Sequence, residues 1–221
     1  MMKNFVLLLF LLTVWSTFAT AVELDSIARD PAYVKTIVNR SNKIVSKIGL
    51  TDAVIEKEVT TIVANRYFKL NDIYADRDKA VKLAQETLKG NDKQKAIKEA
   101  EEAKDASLYR SHFAFPADLS LYLADDEIER VKDGITFGVV KVTYDATLEM
   151  IPSLKKEEKE QIMAWLKEAR EFALDANNSE AKHAAFGKYK GRINNYLSKC
   201  GYDLVKEREA WYVRIKAREK K

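Results

Sequence analysis

Interruptions to regular structure are scarce in this chain, which has only three prolines and seven glycines among its 221 residues. Proline and glycine are the residues that most disfavour a helix interior. Their scarcity leaves long stretches in which apolar residues recur at the helical period. The pattern predicts an all-α fold, a single-domain bundle of about six to eight helices. One stretch, ITFGVVKVTY, is rich in β-branched residues and predicts a short extended segment near 137–144.

Several helix boundaries can be predicted from capping residues. Thr51 is expected to cap a long second helix, which Gly90 ends. The stretch after Gly90 is dense in Lys, Glu and Ala and carries a thin apolar stripe, which predicts either an exposed arm or an outer helix. Pro116 is expected to interrupt it. A late helix is expected to begin at Ser179 and to end at Gly201.

The N-terminus has the pattern of a secretory signal peptide. Lys3 supplies a positive charge, residues 5–12 form an unbroken apolar run, and Ala19-Thr20-Ala21 is a small-x-small cleavage site. The alternative, a membrane anchor, is disfavoured because the apolar run is short for a span of about 20 residues. The sequence therefore predicts a signal peptide over 1–21 and a single helical domain over 22–221. We expect a periplasmic or secreted protein with no membrane span after cleavage.

The charge balance excludes some classes of partner. Without Lys3, 37 basic residues face 34 acidic ones, and the two signs alternate along the chain. This pattern is typical of a solvated helical surface, so no nucleic-acid partner is expected. Nothing in the sequence indicates an oligomeric state.

Cofactor and metal sites are not expected either. Cys200 is the only cysteine, so an internal disulfide cannot form, and its apolar neighbours predict a buried, inert thiol. His112 and His183 lack the spacing of metal ligands. No glycine-rich phosphate loop or nucleophile motif is present. The prediction is therefore no metal and no cofactor.

Polar residues and glycines share one side of the late helix. His183, Gly187, Lys190 and Asn194 form a stripe beside the apolar face, with Gly191 next to it. Another sector, with Lys188, Arg192, Asn195 and Lys199, is expected to face water. One explanation is a close helix crossing at the two glycines. The other is a ligand that lies across the glycines and is held by the polar side chains.

Three arginines also fall on inward sectors of their helices: Arg66, Arg77 and Arg170. Because buried charge is costly, each needs a partner. One alternative is internal pairing, for which Asp133, Asp145, Glu149 and Asp175 are available. The other is that guanidinium groups converge on an anionic ligand such as a uronic acid. The hypothetical ligand-binding set is His183, Lys190, Asn194, Arg170, Arg77 and Tyr144, with Gly187 and Gly191 as close-approach glycines.

Longer stretches resemble a known family. VKDGITFGVVKVTYDATLEMIPSL, EAREFALDA, KHAAFGKYKGRINNYLSKCGYDL and NDIYADRD are similar to the bacterial domain-of-unknown-function family numbered 3826. The resemblance covers nearly the whole chain after residue 21. It implies a secreted protein typical of Bacteroidota, often encoded near polysaccharide-degrading enzymes. It implies no activity and no catalytic residue.

These observations predict a carbohydrate-utilisation accessory or glycan-binding protein for acidic, pectin-like oligosaccharides. A first alternative is a small carbohydrate-active enzyme, lyase-like or a hydrolase, on uronate-containing oligosaccharides. A second alternative is a periplasmic chaperone-like protein. Whether the chain is an enzyme stays open at the level of sequence.

Overall fold

The computed structural model describes residues 21–219, so residues 1–20 of the predicted signal peptide lie outside it. The described range is all α-helical and contains no strand, which confirms the predicted fold class. Its helices are α1 (Pro31–Val45), α2 (Ala53–Thr87), α3 (Gly90–Leu119), α4 (Asp125–Ile135), α5 (Val139–Met150), α6 (Lys156–Leu174), α7 (Ser179–Lys199) and α8 (Leu204–Glu219).

The extended segment expected near 137–144 is wrong. Phe137 and Gly138 form a turn with positive φ angles of 63° and 67°, and α5 begins directly afterwards. The β-branched residues that suggested a strand lie instead on a helix whose Val140 is buried. Tertiary burial therefore outweighs the local β preference of this stretch.

Pro116 does not interrupt α3, contrary to expectation. It lies inside the helix, which continues to Leu119. A proline removes one backbone donor and crowds the carbonyl four residues earlier. Here the helix ends only three residues later, and the burial of Phe115 and Leu119 holds the last turn in place.

The caps differ from the predicted ones by one residue. Asp52, not Thr51, accepts the backbone N–H groups of Val54 and Ile55 at 2.7 and 3.3 Å. Asn178, not Ser179, caps α7 by accepting the N–H of Ala181 at 2.8 Å. Such caps satisfy donors that a helix leaves free at its first turn.

The α2–α3 hairpin extends beyond the core. α2 has 35 residues, which corresponds to a length of about 52 Å. After Ile73 its only buried residue is Ala84, and the first half of α3 buries only Ala100. The end of the hairpin is therefore an exposed arm, the first of the two predicted alternatives. Small side chains, Ala84 and Ala100, are the buried ones in this arm, and Arg77 of α2 pairs with Glu101 of α3 at 3.0 Å.

Two main clusters of buried side chains make up the core. The first draws on α1, α2, α3, α4 and the last residue of α6, with Val59, Val63, Leu119 and Val131 almost fully buried. The second draws on α5, α6 and α7, with Ile162, Leu166, Phe186 and Leu197 at its centre. Within residues 21–219, no helix combines the length and apolarity needed to cross a membrane.

Candidate functional site

The glycine-bearing face of α7 is open. Gly187 and Gly191 are exposed, and a Cβ atom built on either would meet no neighbouring atom within 4 Å. The close helix crossing that could have explained them is therefore wrong. The close approach occurs at Gly134 of α4, where a Cβ would lie 2.6 Å from Cγ2 of Ile44 on α1.

The predicted polar stripe lies on the same open face. His183, Lys190 and Asn194 are all exposed. The imidazole of His183 stacks on the ring of Phe137, with ring centroids 5.4 Å apart and an interplanar angle of 21°. That these side chains bind a ligand stays a prediction.

The structure assigns Arg170 and Arg77 to internal ion pairs. Arg170 is only 2% exposed. Its Nη1 lies 2.9 Å from Asp133 Oδ1, and its Nη2 lies 2.6 Å from Glu129 Oε2. Arg77 pairs with Glu101 across the α2–α3 hairpin at 3.0 Å. Both guanidinium groups are therefore occupied by carboxylates of the chain.

Two other predicted residues occupy unremarkable positions. Tyr144 is half-buried and packs against the second core cluster. Cys200 is exposed, so the prediction of a buried thiol is wrong. Because Cys200 is the C-cap of α7, the apolar stripe on which it was placed ends one turn earlier, at Leu197.

Arg66 lies at the centre of a buried polar network. Its Nη2 donates to Asp175 after α6, and its Nη1 donates to Ser111 of α3. His112 approaches the same carboxylate, with Nδ1 3.1 Å from Asp175 Oδ2. Tyr74 of α2 donates its hydroxyl to the Asp175 carbonyl at 3.1 Å. Asp175 thereby connects α2, α3 and the end of α6.

The network continues toward α4. His112 Nε2 lies 3.8 Å from Glu171 Oε2, and the same carboxylate oxygen lies 3.2 Å from Lys132 Nζ. The hydrogen bond with Asp175 raises the pKa of His112, against the opposing effect of burial. Carboxylates and cations alternate along this chain of contacts, so the network neutralises itself. We interpret it as a structural connection between the two core clusters.

Lys182 is a buried lysine that was not predicted from the sequence. It is 4% exposed, and Nζ donates to the Ala173 carbonyl at 3.3 Å and lies 5.9 Å from the ring centroid of Tyr67. Burial, assisted by the positive charge of Arg66, lowers the pKa of Lys182 to about 8. Its burial could have been predicted from the helical period, because Lys182 falls on the same sector of α7 as Phe186.

A groove between α6 and α7 combines aromatic and cationic side chains. Its volume is about 620 Å³, and it is lined by Trp165, Lys188, Gly191, Arg192, Asn195, Tyr196 and Lys199. The guanidinium of Arg192 lies 4.4 Å from the Trp165 ring centroid. Tyr196 meets the same indole edge-on, with centroids 5.2 Å apart. The open surface at Gly191 borders this groove.

The cations of the groove are poorly neutralised. Arg192 has one acidic partner, Glu168, at 3.4 Å. Among the described residues, no carboxylate lies within the 4.0 Å ion-pair distance of Lys188 or Lys199. The sequence correctly placed these residues on a water-facing sector of α7. It did not predict that Trp165 of α6 would lie beside them, because that contact depends on how two helices pack.

A second cavity lies between α2 and α3 and has a volume of about 510 Å³. Ile62, Phe115 and Leu121 give it an apolar wall, and the guanidinium of Arg66 in this wall is already paired with Asp175. Lys69 and Arg110 also line this cavity, but so does the carboxylate of Asp118, which would repel an anionic ligand. Among the described residues, no carboxylate lines the groove between α6 and α7. The α6–α7 groove is therefore the stronger candidate site.

Comparison with known proteins agrees with the resemblance noted in the sequence. No curated protein matched the chain. A family model described as "Protein of unknown function (DUF3826)" matches residues 34–217, which includes every helix that forms the two core clusters and the groove. The chain therefore belongs to the DUF3826 family.

Proposed function

We propose that this chain is an exported accessory protein that binds an acidic, uronate-containing oligosaccharide in the α6–α7 groove. The observation that carries the proposal is a groove beside Trp165 that has no carboxylate in its lining and two cations, Lys188 and Lys199, without an ion-pair partner among the described residues. A cation with no partner in the protein can pair with a ligand carboxylate without breaking an existing ion pair. Arg77 and Arg170 would each have to give up such a pair.

The chemistry of the groove suits a charged sugar. An indole presents a flat apolar surface, on which the C–H face of a pyranose ring can pack. Arg192 is held against this ring, so its planar fork is already ordered. Only its Nη1 donates to Glu168, at 3.4 Å, so other N–H groups of the fork can donate two hydrogen bonds to a ligand carboxylate. The side-chain amide of Asn195 can both donate to and accept from sugar hydroxyls.

The spacing of the cations favours an oligomer over a single sugar. Lys188, Arg192, Asn195 and Lys199 follow one side of α7 at intervals of three or four residues. From the first to the last, this side rises about 16 Å along the helix. A ligand with carboxylates on successive units could pair with more than one cation, which a monosaccharide could not.

Other parts of the proposal rest on the sequence. Export rests on the charged, apolar and small-residue pattern of residues 1–21. A bacterial setting near polysaccharide-degrading enzymes rests on the family resemblance alone. The groove itself supports only recognition of a polyanionic ligand that has apolar faces.

The decisive experiment compares ligands that differ only in charge. De-esterified oligogalacturonate should bind saturably in isothermal titration, and the fully methyl-esterified oligomer of the same length should bind at least tenfold more weakly. Because the contacts are charge-assisted, Arg192→Gln and Lys188→Gln should each weaken binding about 10- to 100-fold. Added salt should weaken binding further.

Two matched variants identify the site. Lys206→Gln, at an exposed position on α8, should leave affinity unchanged. Lys190→Gln should have little effect if the α6–α7 groove is the site. Loss of affinity in Lys190→Gln but not in Lys188→Gln would show that the ligand binds at the His183–Lys190–Asn194 stripe instead. Equal affinity for the charged and the esterified oligomer would refute the proposal. Formation of a shortened or unsaturated product would show that the protein also has catalytic activity.

A further inference from the structure

Residues 22–29 contain no helix or strand and are here called the strap: residues 22–25 lie along α2, and residues 26–29 form a turn. Its backbone is held at Asn65, whose Oδ1 accepts the N–H of Asp25 at 2.9 Å and whose Nδ2 donates to the Glu23 carbonyl at 2.8 Å. At its end, Arg29 makes a two-pronged ion pair with Asp72, at 2.8 and 2.7 Å. These contacts fix the register of the strap on the helix.

The strap begins at a third residue of the same helical stripe. Val22 donates its backbone N–H to Glu58 Oε2 at 2.6 Å. Glu58, Asn65 and Asp72 are spaced by seven residues, or two helical turns, so they lie on one side of α2. Seven helical residues rise about 10 Å, and three extended residues span about the same distance. The distance from Glu58 to Asn65 along α2 therefore matches the distance from Val22 to Asp25 along the strap.

Glu58 is a buried carboxylate with no cationic partner in the part of the chain that the structure describes. It is 8% exposed and lies beside the first core cluster, against which Val22 packs. Among the described residues, no Lys, Arg or His side chain forms an ion pair with it within 4.0 Å. A buried charge is costly unless it is both paired and hydrogen-bonded. Asp72 at the other end of the stripe has such a partner, whereas Glu58 has a single neutral amide.

We propose that cleavage between Ala21 and Val22 creates the cation that Glu58 is placed to receive. Hydrolysis adds water across this peptide bond: the new carboxylate leaves on Ala21 with the leader, and the nitrogen of Val22 becomes an α-ammonium group. The nitrogen that lies 2.6 Å from Glu58 Oε2 then carries a positive charge and further N–H donors. The new N-terminus and Glu58 form a buried ion pair.

The inference gives the cleavage position a structural role. Ala21 is exposed, and within the described residues the strap is held by hydrogen bonds from Val22 onward. A chain that still carries residues before Val22 offers Glu58 only an amide. Processing at this bond therefore stabilises the fold, and processing one residue earlier or later would place the ammonium group away from the carboxylate.

The test uses the chain that begins at Val22, released from a cleavable fusion, with its α-amino group either free or acetylated. Acetylation restores an amide at the same nitrogen and so imitates the uncleaved bond. The free form should melt at a temperature higher by at least about 2–4 °C, the shift that 1 kcal/mol causes in a domain of this size. In Glu58→Gln the difference between the free and acetylated forms should vanish. In Glu23→Gln, a control at an exposed carboxylate of the strap, it should persist.

A second readout does not depend on melting. In the folded free form, the α-amino group of Val22 should react with an acylating reagent more slowly than in Glu58→Gln, as measured by peptide mass spectrometry. Equal melting temperatures of the free and acetylated forms, an undiminished difference in Glu58→Gln, or equal acylation rates would each overturn the inference. So would an exported mature chain whose intact mass places its first residue anywhere but Val22.

Discussion

At the scale of single residues, Lys182 shows how a charge can be tolerated inside this fold. It lies within the sector of α7 that faces the core, yet within residues 21–219 its ammonium group has only the Ala173 carbonyl, 3.3 Å away, as a hydrogen-bond acceptor. Asp175 favours the charged form, but burial and the nearby Arg66 oppose it more strongly. The charge is therefore a cost to the folded state at neutral pH.

Replacing Lys182 by Met should stabilise the protein near neutral pH. The folded pKa of about 8, against an ordinary value of 10.5, corresponds to a burial cost on the order of 3 kcal/mol. Between these two values the unfolded chain holds more protons than the folded one, so stability of the native protein rises with pH. The advantage of Lys182→Met should thus be large at about pH 7 and small near pH 10.5. Urea unfolding at both pH values measures it.

A matched substitution on the exposed face of α7 serves as the control. Lys190→Met removes a charge from the same helix without relieving burial, so it should change the free energy of unfolding little at either pH. If Lys182→Met stabilised the protein equally at both pH values, the cost of burying the Lys182 charge could not be the cause.

At the scale of helices, periodicity predicted the elements well and their contacts poorly. The scarcity of Pro and Gly indicated the number and type of elements. The extended segment was wrong because burial of Val140 is a tertiary effect that local preference does not contain. A close helix crossing at a glycine does occur in this fold, but not at the two glycines of α7 for which it was considered. Gly134 has such a role, whereas Gly187 faces open space.

Alanine substitutions at these two glycines should have opposite effects. In Gly134→Ala, the new methyl group would lie 2.6 Å from Cγ2 of Ile44, a β-branched side chain with few alternative rotamers, so α1 and α4 must separate. The variant should lose roughly 1–3 kcal/mol, as expected for overpacking. Gly187→Ala meets no atom and should gain up to about 1 kcal/mol through helix propensity. Chemical denaturation of both variants checks the pair; stabilisation of both would contradict the predicted clash.

At the scale of the whole molecule, the two apolar clusters are connected by a charged network and not by a continuous apolar core. Asp133 and Asp175 were among the carboxylates expected to pair with inward arginines, and they do so with Arg170 and Arg66. Which carboxylate meets which arginine depends on how α2, α4 and α6 pack, and sequence spacing does not determine this. The same limit explains why the Trp165 groove was not predicted while its cations were assigned to the surface.

The network predicts that the stabilisation contributed by His112 decreases as the pH rises, whereas the effect of Lys182 makes the protein more stable as the pH rises. The hydrogen bond with Asp175 raises the pKa of His112 above its ordinary 6.5, and the charge of Glu171 adds to the shift. A raised folded pKa means that the stabilisation is fully present below about pH 6.5 and is lost as the pH rises through the folded value. His112→Asn should therefore cost more stability at about pH 5.5 than at about pH 9. If His112→Asn cost the same stability at both pH values, the imidazole would contribute through packing alone. The charged connection between the two clusters would then end at Asp175 and Arg66.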